Sequence, residues 1–184
     1  MHPVRRIRMR PARPTLLLSL LVLCASLVAC SSASGPRVWA ASVCSALAPW
    51  RTEIGTLTTR TQQQMTAATT PAQAKENLMR LFGGAESASE KARAGVQQAG
   101  VPDVARGEQV AESFQASLGA MRDAYGRART GIEALDTSPS KAFYAQVTEV
   151  VDKLNSEYQQ SSLDTSRLDS KELKQAFDEV PECR

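Results

Sequence analysis

Four cysteines and a single histidine are the side chains in this 184-residue chain best suited to ligate a metal or attack a carbonyl. Their placement works against both. His2 is the only histidine, so residues 30–184 contain none. A Ser-His-Asp or Cys-His nucleophile pair cannot be assembled there. The Glu-x-x-His motifs of a di-iron four-helix bundle are excluded for the same reason. None of Cys24, Cys30, Cys44 and Cys183 forms a C-x-x-C, and two thiols without a histidine nearby in sequence make a poor zinc site.

Other spacings invite chemistry more weakly. Ser138-Pro139-Ser140-Lys141 has the S-x-x-K spacing of penicillin-recognising enzymes, but the S-D-N and K-T-G partners are missing, and a helix cap accounts for Ser138. Glu86 with Glu90, and Glu108 with Glu112, are acids four apart that suit either a divalent cation or a solvated charged face. The interleaved Lys91, Arg93 and Arg106 favour the charged face. Tyr125-Gly126-Arg127-Ala128-Arg129 offers a contact patch for an anion, or surface arginines beside a core tyrosine. Gly83-Gly84 lacks the lysine of a phosphate loop. Each glycine costs about 1 kcal/mol against alanine inside a helix, so the pair implies a kink, a close helix approach or a groove. If a groove, Met79, Leu81, Phe82, Gly83 and Gly84 are the candidate contacts for a small apolar ligand. No catalytic residue, metal site or cofactor is expected, and the chain reads as a non-enzyme.

The elements behind these residues begin with an address. Arg5, Arg6, Arg8, Arg10 and Arg13 precede an uncharged run, "TLLLSLLVLCASLVA", which has the order of a secretory signal. The run is shorter than the roughly 20 apolar residues of an ordinary membrane span. Leu27-Val28-Ala29-Cys30 resembles the lipobox of bacterial lipoproteins. That resemblance implies cleavage after Ala29, a lipid on the Cys30 thiol, and an extracytoplasmic protein anchored in the cell membrane. Cys24 would leave with residues 1–29. The five arginines leave too, with no acid, so 22 basic residues become 17 against 19 acidic. The mature chain is then slightly acidic, and the basic stripe of a nucleic-acid binder is not there.

Residues 30–36 read as a small, polar tether and residues 37–184 as one helical domain. Trp39, Val43, Leu47, Trp50, Ile54, Leu57 and Met65 fall on one helix face, interrupted by Pro49, which predicts a kink or a short helix leading into a longer one. "TTPAQAKENL" carries a capping box, Thr70 with Gln73, and a helix from Pro71 to about Ala99 stops at Gly100. A third helix presents Val110, Phe114, Leu118, Met121, Tyr125, Ala128, Ile132 and Leu135. A fourth, expected with Ser138 capping and Pro139 first, presents Phe143, Val147, Val150, Leu154 and Tyr158. After a polar linker, Asp169 and Glu172 have capping-box spacing for a short closing helix with Leu173, Phe177 and Val180. The expected fold is an all-α, up-down-up-down four-helix bundle with a short C-terminal helix.

Four antiparallel helices return the C-terminus to the end where the first helix began. Cys44 and Cys183 are the thiols that remain, and a bridge between them suits an exported protein. "VWAASVCSALAPW", "AGVPDVARGE" and "PECR" resemble the small secreted helical lipoproteins of high-GC Gram-positive bacteria. The resemblance implies this fold, bridge and address, and brings no catalytic residue. Two functions are consistent with it. One is a lipid-anchored interaction module binding an envelope protein or polymer. The other is a carrier or sensor of a small apolar ligand held between helices.

Overall fold

The computed structural model describes residues 33–161 and 168–184. The signal segment, Cys24, Cys30 and the middle of the polar linker lie outside the described residues. The protein is all-α. Four long helices, α1 (Pro36–Gln64), α2 (Pro71–Gln98), α3 (Gly107–Glu133) and α4 (Ser140–Ser161), are followed by the short α5 (Lys171–Glu179) and a 3-10 turn, Pro181–Cys183. Successive long helices run antiparallel. Trp39 at the start of α1 donates its indole N–H to the carbonyl of Gly100 beyond the end of α2, 2.9 Å away. Gly131 near the end of α3 faces Val150 of α4, while Arg127 reaches Glu157 further along.

The local signals act largely where the sequence places them. Thr70 and Gln73 exchange both capping-box hydrogen bonds, and Gly100 ends the turn after α2 at φ 72°. Three boundaries differ from expectation. Pro49 lies inside a single α1 rather than between two helices. Proline there has no N–H for the carbonyl of Ser45, but the remaining ladder and the buried Leu47 and Cys44 carry the helix through. The fourth helix starts at Ser140, not Pro139, and the Pro139 carbonyl accepts from Ala142 and Phe143. Ser170, not Asp169, caps α5: its hydroxyl accepts from the Leu173 amide at 3.2 Å, and Asp169 pairs with Arg106 instead.

The chain is also held earlier than residue 37. The Ser34 amide donates to the Val101 carbonyl at 3.0 Å, and the Ser34 carbonyl accepts from Asp103 at 2.7 Å. Pro36 is already the first residue of α1.

Two apolar clusters stack along the bundle. At the end where α1 begins, Trp39, Val43, Leu47, Val96, Phe114, Leu118, Met121 and Leu173 are buried together. Towards the other end, Leu78, Phe82, Ala124, Ala128, Ile132 and Leu154 form the second cluster. α4 feeds only the second, and α5 supplies the fourth side of the first. α1 accordingly packs against α2 and α5. The expected bridge is formed: Cys44 and Cys183 are disulfide-bonded, with α-carbons 5.0 Å apart across 139 residues of sequence.

Candidate functional site

The residues with the most chemical character gather around the disulfide. Trp39 is fully buried and meets Phe114 and Phe177 edge-on, at centroid distances of 5.3 and 6.0 Å. Phe114 and Phe177 stack in parallel at 5.8 Å. These three rings tie α1, α3 and α5 together, and edge and offset contacts suit the negative faces and positive edges of aromatic rings. Beside them opens a cleft of about 400 Å³, bounded by the Cys44–Cys183 bridge, Leu47, Trp50, Met121, Tyr158 and Phe177, with Arg51 and Asp178 at its rim. Most of the lining residues are apolar or aromatic, with Arg51 and Asp178 the charged groups.

A second groove, of about 430 Å³, runs between α1 and α2. Gly84, Ala88 and Ala92 make one wall, Ala46, Pro49 and Trp50 the other, and Glu53 and Lys91 flank it. The wall is shallow because its residues are small. A β-carbon on Gly84 would lie 2.7 Å from a Leu57 methyl, and one on Gly95 would lie 2.8 Å from the Ala46 β-carbon. The glycines let α1 and α2 approach closely, and the groove lies alongside that approach.

The ligand contacts expected from sequence do not line one groove. Only Gly84 lines the α1–α2 groove. Phe82 is buried in the second apolar cluster, with Met79 and Leu81 packed against it. Gly83 faces α3, where its missing β-carbon leaves 3.2 Å to the stem of Arg129. Adjacent residues on a helix point about 100° apart, so a glycine pair serves two neighbours rather than one groove. The aromatic cleft is not legible in the sequence because its walls come from α1, α3, α4, α5 and the C-terminal turn. The one available signal was that Phe177 and Cys183 share the closing segment.

Of the two acid pairs, Glu86 and Glu90 are both engaged by arginines. Glu90 accepts from Arg93 at 2.6 Å and from Arg122 of α3 at 2.8 Å. These hydrogen bonds, Arg93 first and Arg122 second, pull the Glu90 carboxyl down to about 2. Glu86 pairs with Arg129 at 3.0 Å and Glu157 with Arg127 at 2.9 Å, so both arginines of the Tyr125–Arg129 stretch are engaged within the bundle. Tyr125 is partly buried against α4, its ring 6.5 Å from that of Tyr158. Burial, with Tyr158 adding to it, pushes its hydroxyl up to about 12. Among the described residues, no three His, Cys, Asp or Glu side chains are gathered in a way that could hold a metal. No described helix is long and apolar enough to cross a membrane.

No protein-family model matches the chain, and no curated protein or solved structure is significantly similar to it.

Proposed function

We propose that the protein is a lipid-anchored, extracytoplasmic helical-bundle protein of the bacterial cell envelope that acts as a non-catalytic interaction module, binding an envelope protein or polymer. The Cys44–Cys183 disulfide carries the extracytoplasmic part of this reading, because bridges between distant thiols persist in oxidising compartments outside the cytosol. The arginine-rich head and Leu27-Val28-Ala29-Cys30 supply the anchor. The resemblance of "VWAASVCSALAPW" and "PECR" to small secreted lipoproteins of high-GC Gram-positive bacteria agrees with both. The interaction role is supported by how the side chains are spent. Glu86, Glu90, Arg122, Arg127 and Arg129 hold helices to one another, and the large aromatics fill the core.

The test is a comparison of the native chain with Cys30→Ser. The native protein should fractionate with the membrane and carry a diacylglyceryl mass on its N-terminal peptide. The variant should be soluble or unprocessed. Identical fractionation and processing of the two would overturn the anchor.

A second reading, a carrier or sensor of a small apolar ligand, is favoured by the aromatic cleft beside the disulfide. Native mass spectrometry of protein purified from its own envelope separates the two. A co-purifying small molecule lost on Met121→Trp, which narrows the cleft, supports the carrier. A bare mass supports the interaction module.

A further inference from the structure

We infer that the end of the bundle bearing Ser34 and the disulfide is the face held at the lipid surface, and that the opposite end, with the 65–70 and 134–139 connections, is the one presented away from it. The inference rests on the acylation of Cys30 proposed above. It adds an orientation, which acylation alone does not give.

Three observations carry it. The first is where the chain becomes part of the domain. Ser34 is clamped between Val101 and Asp103 by two backbone hydrogen bonds, beside the fully buried Pro102. Four residue steps separate Cys30 from Ser34, at most about 14 Å of extended chain. A tether of seven or more free residues would let the domain tumble; this one cannot move Ser34 farther than that from the lipid.

The second is the length of the body. α1 starts at this end and runs for 29 residues, about 43 Å at 1.5 Å per residue. The far connections therefore lie several tether lengths away along the bundle.

The third is the character of its flanks. The described large apolar side chains left exposed are Val38, Tyr144 and Tyr158, which are scattered rather than contiguous. The outward side of α1 carries Thr52, Thr56, Thr59, Arg60 and Gln63. Such a flank gains nothing by lying in a bilayer, which rewards apolar burial on one face. Nor is the Ser34 end a basic patch: Arg37 is paired with Glu179 and Arg106 with Asp169, and Lys171, Lys174 and Arg184 of the closing segment are interspersed with Glu172, Asp178 and Glu182. The short covalent link sets the orientation, so it should not depend on anionic lipid.

The experiment uses the full-length, processed protein in vesicles containing a lipid-borne nickel chelate. Val38→Cys and Ala67→Cys, both at exposed positions, each receive one nitroxide label. The label at position 38 should relax several-fold more strongly than that at 67, equally in neutral and in anionic vesicles. Inserting ten Gly/Ser residues after Ser32 should reduce the difference while leaving acylation intact. Equal relaxation at the two positions in protein shown by mass to be acylated would overturn the orientation and leave the anchor standing. A product shown by mass to be unacylated would overturn both.

Discussion

The indole N–H of Trp50 donates to the hydroxyl of Ser89 at 3.0 Å, and that hydroxyl donates onward to the carbonyl of Ala85 at 2.8 Å. Ser89 is completely buried, and it is one of the few polar groups in the core. The chain of two bonds lets a tryptophan near Pro49 seat its polar edge on α2. Ser89→Ala should cost about 1–3 kcal/mol, because the part-buried indole N–H loses its partner. Trp50→Phe in the same background should recover part of that loss, since the orphaned donor is removed with the indole. Urea denaturation of the single and double variants measures it; additive losses would show that the two residues do not act together.

Glycine positions on α1 and α2 separate tight approach from free helix. A β-carbon on Gly95 would meet the Ala46 β-carbon at 2.8 Å, and Ala46 has no flexible end to move aside. Gly95→Ala should therefore destabilise by about 1–3 kcal/mol, the usual range for overpacking. Gly55 has open space around it. Gly55→Ala should stabilise by roughly 0.5–1 kcal/mol through helix propensity. Thermal melts of the two variants should move in opposite directions.

The disulfide closes a loop of 139 residues' separation, which the chain-entropy model values at up to about 5 kcal/mol. Cys44→Ala with Cys183→Ala should lower the melting temperature but leave the helical signal of α1 to α4. Hydrogen exchange should accelerate first in residues 171–183. α5 is nine residues long, too short to stand without packing, and Leu173, Ala176 and Phe177 would be its remaining hold. Uniform loosening of all five helices would contradict this.

Glu90 ionises near 2 in the folded protein against an ordinary value of 4.5. Its depressed value means that the folded state binds fewer protons than the unfolded one across this range. The contribution of the Arg93–Glu90–Arg122 cluster is complete above about pH 4.5 and is lost as pH falls through 2. Glu90→Gln should flatten the decline in stability between those values. A carboxyl resonance for Glu90 that titrates near 4.5 would refute the assignment.

Tyr125 gives the opposite signature at high pH. Its hydroxyl, raised to about 12 by burial and by Tyr158, stays protonated in the fold while an unfolded tyrosine ionises near 10. Stability is therefore complete below pH 10 and declines between 10 and 12. Spectrophotometric titration should show a late-ionising tyrosine component, and Tyr125→Phe should abolish it.

What the sequence alone determined is what lies within one helical turn or follows from elimination. The stripe of Phe114, Leu118, Met121, Ala128 and Ile132, the Thr70–Gln73 box and the stop at Gly100 are encoded by neighbours three or four residues apart. The Cys44–Cys183 pairing follows from helix parity and from a shortage of other thiols. The tertiary structure decided everything that depends on how one helix is rotated and slid against another. Glu86 and Glu90 find Arg129 and Arg122 of α3, and Glu90 is also held by Arg93 on its own helix. Gly83 and Gly84 serve different neighbours, and Phe82 goes into the core rather than a groove. α5, taking the place in the first cluster that α4 leaves open, brings Phe177 against Trp39 and Phe114, and with Tyr158 of α4 these rings border the cleft. Periodicity records that a face is apolar, but not which partner covers it. The axial offset and rotation that choose the partner come from side-chain interlocking between segments far apart in the chain.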